Sequence, residues 1–407
     1  MKRPYYGWIL AVTLGFTETV SWGVLYYTFS VLIAPTTAEL GWTRAQISGA
    51  LSAMLVVSGL AGLWVGRWLD EHGPRQLMTA GSIVAVPLVI AWSQVRDLFS
   101  FYVIWILIGF AFAATNYGPA FATIIAWFRH HRSRALTLVT LIAGFASTVF
   151  VPLAAWLVSV QGWRAALVTL AIVLGVLTIA PHALLLRRRP ADIGVAVDGA
   201  PLEAGPDVSV ATPEISASLR EALRHPTFKW LALAFALYAL GVGVPVHLVA
   251  YLGDHGYSLA FAAAATGGIG AAQVLGRLLF APLERRFAPR TISVLIYAGQ
   301  PVALLILLFA QSELGIIAFV VLFGAARGAE TLVRSTIVAG LYGPRRIASI
   351  AAVLTLATTL TQAISPVSLG AVYDSVGSYI PGFWALIALS CIAAVAVYVG
   401  DRRPARA

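Results

Sequence analysis

The sequence is poor in cysteine and in charge. Cys391 is the single cysteine among 407 residues, and charged residues make up 11% of the chain against 59% hydrophobic residues. One cysteine excludes an intramolecular disulfide and a cysteine-ligated metal cluster. Soluble domains carry about 25% charged residues. The composition therefore excludes a water-soluble domain and predicts a chain whose partner is a lipid bilayer.

The motifs of several enzyme classes are also missing. The sequence has no H-E-x-x-H zinc motif, no G-x-S-x-G nucleophile turn and no Walker A loop. These motifs supply a metal-bound water, an activated serine and a phosphate cradle, respectively. We therefore expect no enzymatic activity, no metal, no cofactor and no ATP-driven transport.

Positive charge follows a pattern along the chain. Of the 27 lysines and arginines, 21 lie at the two termini and in one alternating set of connections, and three lie in the opposite set. By the positive-inside rule, this bias places both termini in the cytoplasm and requires an even number of membrane crossings. The net charge of +10 thus reflects orientation in the cell inner membrane, and we expect no nucleic-acid partner.

Long apolar segments account for most of the chain. Each must be helical, because a backbone exposed to lipid has no other way to satisfy its amide groups. The first segment is too long for the apolar region of a signal peptide, so we expect no cleavable signal. The sequence predicts twelve membrane helices, at 8–32, 46–68, 76–93, 99–127, 135–157, 163–186, 228–252, 262–280, 291–310, 314–341, 348–372 and 380–400.

The two halves of the chain repeat each other. An offset of 215 residues pairs Gly41 with Gly256 and Pro74 with Pro289. Internal repeats related by an axis along the membrane normal are typical of carriers that rock about a central cavity. We therefore predict an all-α membrane protein with two pseudo-symmetric six-helix bundles.

A polar segment separates the two predicted bundles. Residues 187–227 are rich in proline, serine and acidic residues and lack an apolar face, which is typical of a linker. The predicted organisation is an N-terminal bundle at 1–186, a cytoplasmic linker at 187–227 and a C-terminal bundle at 228–407.

The connection after the second segment carries a recognisable motif. Residues 66–75 read G-R-W-L-D-E-H-G-P-R, which resembles the G-x-x-x-D-x-x-G-x-R loop of the major facilitator superfamily. The resemblance implies a monomeric carrier with the major facilitator fold and a conformational latch at Gly66, Asp70, Gly73 and Arg75. The two glycines suit close helix approach and a tight turn, and the Asp70 carboxylate can accept hydrogen bonds from helix N-termini and from Arg75.

Other motifs resemble the monocarboxylate and oxalate-formate branch of that superfamily. They are Y-G-W at 6–8, W-F-R-H-H-R-S-R at 127–134, the lone Arg277, and D-S-V-G-S-Y at 374–379. This resemblance implies a secondary transporter of a small organic anion, a monocarboxylate, by proton symport with alternating access.

The chain departs from that branch at three positions. Gln273 stands one turn before Arg277, where animal monocarboxylate carriers have an aspartate, and the helix-eleven lysine of oxalate exchangers is absent. In the first helix, Glu18 is the only ionisable residue, where the animal carriers have a lysine. A known proton path therefore cannot be transferred to this chain whole.

Arg277 lies eight residues before Arg285, about 12 Å along a helix from its cytoplasmic end. A charge at this depth costs at least about 2.5 to 3.5 kcal/mol on insertion scales, and a guanidinium fits a carboxylate in bidentate fashion. Arg277 is thus a candidate substrate clamp, with Gln273 beside it. The alternative is a structural arginine paired with another helix.

Three further ionisable residues are candidates for proton coupling. Glu18 lies near the middle of the first helix, His247 lies about 10 Å from the outer end of the seventh, and Glu330 shares a face of the tenth with Arg327 and Arg334. His247 is also a candidate substrate ligand. Each has a structural alternative: an ion-paired Glu18, a packing His247, and a Glu330 that only neutralises its neighbours.

Asn116 and Tyr117, in the fourth segment, lie at about the depth of Arg277. They are candidate substrate ligands, or else make hydrogen bonds between helices. The rival function for the whole chain is export of drugs or metabolites, which favours a larger aromatic cavity without a central arginine.

Overall fold

The computed structural model describes residues 5–199, 225–310, 312–342 and 347–401, and the regular elements in these ranges are helices. Eleven helical stretches in the described part of the chain are long and apolar enough to cross a membrane. Most of the predicted linker, at 200–224, lies outside the described residues.

The N-terminal half of the chain forms helices α1 to α8. A π-helical turn at Gly23–Tyr27 joins the first two, because the Phe150 ring lies against Gly23 and leaves no room for a side chain there. The helices are α1 (Tyr6–Trp22), α2 (Phe29–Leu40), α3 (Arg44–His72), α4 (Pro74–Ser93), α5 (Leu98–Thr115), α6 (Tyr117–Trp127), α7 (Arg132–Ala143) and α8 (Ala146–Leu185).

The C-terminal half forms helices α9 to α15. A 3₁₀ turn at Leu240–Val242 interrupts the predicted segment 228–252 just before Pro245. The helices are α9 (Pro226–Ala239), α10 (Gly243–Asp254), α11 (Leu259–Arg286), α12 (Pro289–Phe309), α13 (Glu313–Tyr342), α14 (Ile347–Val376) and α15 (Ile380–Gly400).

One apolar stretch is far longer than a bilayer requires. Arg132–Leu185 runs for 54 residues, which would extend roughly 81 Å as a straight helix, against a hydrocarbon core of about 30 Å. Within it, Gly162 has φ 78° and ψ 161°, which are not helical angles. The helix direction therefore changes at Gly162.

The sequence repeat has a counterpart in backbone geometry. Gly41 and Gly256 both adopt positive φ, at 69° and 83°, a region that glycine enters without steric cost. Pro74 and Pro289 both occupy the first turn of a helix, where the missing amide hydrogen bond costs nothing. The paired residues thus perform the same local task in each half.

The chain divides into two compact units. The first comprises Met1–Trp42, Gln46–Asp207 and Leu252–Gly267, and the second comprises Thr43–Ala45, Val208–Tyr251 and Gly268–Ala407. Aromatic and aliphatic side chains fill each core, among them Leu10, Trp127 and Phe128 in the first unit and Phe235, Tyr297 and Val397 in the second.

Large apolar side chains also cover the outside of the helices. Leu63 is 72% exposed and Leu314 is 78% exposed. Apolar surface on this scale is stable against lipid and not against water. The chain is a multi-pass membrane protein.

Candidate functional site

In the second unit, α11 and α13 cross at very short range. A Cβ on Gly276 would overlap the backbone of Ala325, and a Cβ on Gly328 would overlap the backbone of Gln273. Small residues allow this approach, as is common between membrane helices. Two predicted ligands, Gln273 and half-buried Arg277, therefore lie at this crossing, on the helix that meets α13.

A polar cluster lies deeper in the same unit. Gln300 on α12 is fully buried; its Nε2 donates to Ser390 Oγ at 2.8 Å, and its Oε1 accepts a hydrogen bond from Arg327 Nη1 at 3.3 Å. The guanidinium carbon of Arg327 lies 5.9 Å from the centre of the Tyr238 ring. Gly241 makes room for the Gln300 amide, which a Cβ there would displace.

Glu330 joins this cluster through a tyrosine. Its Oε1 accepts a hydrogen bond from the Tyr297 hydroxyl at 3.3 Å, and the Tyr297 and Tyr238 rings are 4.6 Å apart. Arg334, one turn further along α13, donates to Thr358 Oγ1 at 3.3 Å. Arg327, Glu330 and Arg334 thus face different partners, and Glu330 forms no ion pair with either arginine within 4 Å among the described residues.

His247 lies in a separate network of the second unit and is fully buried. Its Nε2 is 2.8 Å from the Pro366 carbonyl oxygen, and its Nδ1 is 3.0 Å from the Tyr379 hydroxyl. Because a carbonyl only accepts, Nε2 donates and Nδ1 of the neutral ring accepts. Tyr379 in turn accepts from Arg44 Nη1 at 2.8 Å. Both ring nitrogens are engaged by the protein, which favours the structural alternative for His247.

The motif at 374–379 belongs to this network. Asp374 accepts hydrogen bonds from the backbone N–H groups of Arg44 and Ala45, at 3.0 and 2.8 Å, and the Arg44 guanidinium stacks 3.6 Å above the Tyr373 ring. A carboxylate at a helix N-terminus satisfies amides that have no partner within the helix. The motif therefore fixes the start of α3.

In the first unit, Glu18 is fully buried beside aromatic rings. Its Oε2 accepts a hydrogen bond from Trp22 Nε1 at 3.0 Å, and its Oε1 has no hydrogen-bond partner in the described part of the chain. The Trp22 ring lies 5.4 Å from the Tyr117 ring and 4.9 Å from that of Phe112. Glu18 and Tyr117, two residues predicted from separate helices, thus both contact Trp22.

Asn116 interrupts the helix that the sequence predicts at 99–127. Its backbone is extended, with φ −89° and ψ −176°, and its Oδ1 accepts from the N–H of Gly118 at 2.9 Å. This is an N-cap, so α6 begins anew at Tyr117. Asn116 Nδ2 also donates to Ser58 Oγ at 3.3 Å. Asn116 therefore makes the interhelical hydrogen bond that was the alternative to substrate binding.

The latch motif is only partly arranged as expected. Gly73 forms the tight turn, with φ 79°, and Arg188 packs against it and donates to the Asp70 carbonyl at 2.6 Å. The space around Gly66 is open, so the close helix approach expected there is absent. The predicted Asp70–Arg75 hydrogen bond is also absent among the described residues, and the Asp70 side chain is exposed to solvent.

The motif at 127–134 is bound by Asp198, which follows α8 in the chain and lies in the same unit. The Asp198 carboxylate accepts from the backbone N–H groups of Arg129, His130 and His131, at 3.0, 2.7 and 3.4 Å. Partial burial tends to raise the pKa of Asp198, but these hydrogen bonds outweigh that effect and lower its pKa. Asp198 thus fastens residues 197–199 to this connection.

Sequence reasoning missed Gln300, Tyr238 and Ser390. Each lies in a mostly apolar stretch of helix, and their contacts depend on helix rotations that the sequence does not give. The available sequence signal was Gln300 itself, a large amide beside Pro301 within an apolar segment.

Comparisons with known proteins bear on this arrangement. The family model described as Major Facilitator Superfamily matches residues 8–300 and 248–407. The chain is 30% identical to Monocarboxylate transporter 13 of Bos taurus over 355 residues, which cover 84% of this chain and 77% of that protein. It is also 30% identical to Monocarboxylate transporter 11 of Homo sapiens over 295 residues, covering 70% and 59%.

A solved structure shares the fold. The crystal structure of a bacterial homologue of the human lysosomal transporter Spinster, in an inward-facing and unoccupied conformation, aligns over 100% of both chains with a TM-score of 0.78 and 17% sequence identity. At this identity the similarity concerns the fold alone.

Proposed function

The chain belongs to the Major Facilitator Superfamily, and from that premise we propose that it carries a small organic anion of the monocarboxylate class together with a proton. It is a membrane transporter, as are the relatives to which it is similar, and not an enzyme. The two relatives named monocarboxylate transporters support the anion class.

The observation that carries the proposal is Arg277 on membrane helix α11, at its glycine-lined crossing with α13. A guanidinium at this depth is costly unless it binds an anion or a fixed partner, and it matches a carboxylate in two parallel hydrogen bonds. In this function, Arg277 clamps the carboxylate and Gln273, one turn away, lines the same site. Tyr117 stays a candidate substrate ligand on the evidence of its sequence position.

Glu18 is the residue that we propose carries the proton. Its carboxyl is fully buried among aromatic rings, and one of its oxygens lacks a hydrogen-bond partner within the described residues. A buried carboxylate without a countercharge is costly, so taking up a proton removes that cost. Glu330, whose one hydrogen bond within the described ranges comes from Tyr297, is the second candidate.

We further propose twelve crossings, in two six-helix halves at 1–186 and 228–407, with the 187–227 linker and both termini in the cytoplasm. The repeat offset of 215 pairs Gly162 with Gly377, which has φ 70° and separates α14 from α15. Gly162, with φ 78°, is then the turn between two helices, and the 54-residue stretch crosses twice.

A drug or metabolite exporter is the second candidate function. The ring cluster of Trp22, Tyr26, Phe112 and Tyr117 favours it, because aromatic faces suit larger apolar compounds.

Uptake into proteoliposomes separates the two candidates. The purified protein is reconstituted, and entry of a radiolabelled short monocarboxylate is followed with and without an inward proton gradient. The proposal predicts uptake above protein-free vesicles that the gradient drives uphill. Uptake of amphipathic drugs without any carboxylate transport would favour the exporter.

A further inference from the structure

The Arg327 guanidinium has few hydrogen-bond partners in the protein around it. Within the described residues it makes one hydrogen bond, to Gln300 Oε1 at 3.3 Å, although a guanidinium has five N–H donors. The nearby rings of Phe323 and Tyr238 lie 5.6 and 5.9 Å from its central carbon. Those contacts satisfy little of a charge held inside a membrane helix.

A second polar group beside it also lacks a partner. The Tyr238 side chain is 2% exposed, and its hydroxyl makes no hydrogen bond in the described part of the chain. Leaving a buried hydroxyl unpaired costs about 1 to 3 kcal/mol. The unpaired Tyr238 hydroxyl and the largely unpaired Arg327 guanidinium together indicate a binding site for a group with acceptor oxygens.

Helix geometry relates this cluster to Arg277. Helices α11 and α13 run parallel, because α12 returns the chain between them through short connections. Gly276 and Gly328 lie at their contact; Arg277 follows the first, and Arg327 precedes the second. Each residue along a helix rotates the side-chain direction by about 100°. Moving one residue forward on one helix and one residue back on a parallel neighbour rotates the two directions in opposite senses. Both arginines therefore leave the crossing on the same side.

The two arginines start from different helices, and both lie within about one helical turn of the crossing. Gly328 lies against Gln273, four residues before Arg277. Gly276 lies against Ala325, two residues before Arg327. In the proposed clamp, the Arg277 guanidinium engages both oxygens of a carboxylate. A ligand held by both arginines must therefore present a further oxygen to Arg327.

We infer that Arg327 and Tyr238 form a second subsite for the same substrate, and that the substrate is a carboxylate with a second acceptor oxygen group at its far end. This inference rests on the proposed function, since it takes Arg277 as the carboxylate clamp. The distal group is a hydroxyl, an oxo group or a second carboxylate. Gln300 holds Arg327 in place, because its amide bonds to both Arg327 and Ser390.

The charges of these helices fit such a ligand. Away from the helix ends, α11 and α13 carry Arg277, Arg327 and Arg334 and the single acid Glu330. An oxygen-rich anion suits this positive balance better than a simple fatty acid does.

The test compares ligands that differ only at the far end. Inhibition of labelled anion uptake in proteoliposomes is measured for butyrate, 4-hydroxybutyrate and succinate, and for the six-carbon series hexanoate, 6-hydroxyhexanoate and adipate. The unmodified protein should prefer the oxygenated members about tenfold, the value of one charge-assisted hydrogen bond. The hydroxy acid and diacid arms then tell which distal group is read.

Variants assign that preference to the subsite. Arg327→Gln and Tyr238→Phe should lower the affinity of the oxygenated members to that of the plain acid. Arg334 lies on the same helix but donates to Thr358 instead. Arg334→Gln therefore removes an equal charge outside the subsite, and it should keep the preference. Tyr238→Phe removes a single oxygen atom and keeps the ring packing, so it tests the subsite even if the Arg327→Gln protein folds poorly.

Two results would overturn the inference, and they are distinguishable. Equal affinity for plain and oxygenated acids in the unmodified protein removes the second subsite and leaves the proposed function intact. Failure of every acid to be taken up or to inhibit uptake by the unmodified protein removes the proposed function and the subsite with it.

Discussion

At the scale of single residues, Glu18 and His247 differ in how many of their polar atoms already have a hydrogen-bond partner in the protein. Glu18 has one engaged and one unengaged carboxyl oxygen, whereas His247 has both ring nitrogens hydrogen-bonded. A group that takes up and releases a proton needs an open site for it. The two residues therefore have different expected roles, although both were candidates on depth alone.

Replacing Glu18 by Gln should abolish uphill uptake driven by a proton gradient while sparing substrate-for-substrate exchange, because the amide keeps the shape but cannot carry the proton. His247→Gln is the contrast: it should retain coupling and lower thermal stability, since an unpaired buried partner costs about 1 to 3 kcal/mol. Both are measured in proteoliposomes and by melting in detergent. Normal gradient-driven uptake by the Glu18→Gln protein would dismiss Glu18.

The sequence could predict the depth of Arg277 and Glu18, because depth follows from counting residues along a helix. It could not predict which residues meet them. Gln300 accepts from Arg327 and donates to Ser390 Oγ and to the Tyr238 carbonyl, on two further helices, and these contacts depend on helix rotation and tilt. The Gly66 and Asp70 contacts failed for the same reason, since a motif fixes residue types but not partners.

At the scale of elements, the α11–α13 crossing positions the site. Gly328→Ala should destabilise the protein by several kcal/mol, because its Cβ would overlap the Gln273 backbone, which cannot move like a side chain. Gly62→Ala on α3 is the matched control, because nothing lies within 4 Å of a Cβ there; it should be neutral or slightly stabilising. Equal melting temperatures in detergent for the two variants would contradict the crossing.

A second element, residues 197–199, is held by Asp198. Because the pKa of Asp198 is lowered in the folded protein, its stabilising contribution is complete above the ordinary aspartate range near 4 and disappears as the pH falls through the lowered value. At pH 7, Asp198→Ala should reduce hydrogen-exchange protection of the 129–131 amides about tenfold, allowing for solvent screening.

Asp97→Ala removes a comparable carboxylate cap, that of α5, and provides the control, because it should leave those amides unchanged. Unaltered protection in the Asp198→Ala protein would show that the three hydrogen bonds do not hold the connection.

At the scale of the whole molecule, the sequence predicted the all-helical membrane fold, because bilayer thickness and the need to pair backbone amides leave few alternatives. The predicted helix bounds run straight through the breaks at Gly23–Tyr27, Asn116 and Leu240–Val242. These breaks depend on a neighbouring ring, a side-chain cap and a local turn, which hydropathy does not register.

Topology tags test the twelve crossings. Tags at residues 2, 205 and 405 should report from the cytoplasm, as the charge bias requires, whereas tags after Gly162 and Gly256 should report from outside. Accessibility to an impermeant thiol reagent, with a cysteine introduced at each site in a Cys391→Ser background, provides the measurement. A cysteine after Gly162 that does not react with the reagent would contradict the proposed turn within the 54-residue stretch.

The central claim for the whole molecule is that Arg277 clamps a carboxylate, and substrate affinity in Arg277→Lys tests it most directly. Lysine keeps the charge but loses the bidentate fork. The expected weakening is tenfold to about a hundredfold, the value of one charge-assisted hydrogen bond, with normal insertion and melting temperature. Arg334→Lys, the same change on α13, should have little effect. A folded Arg277→Lys protein that binds its anion with unchanged affinity would contradict the account.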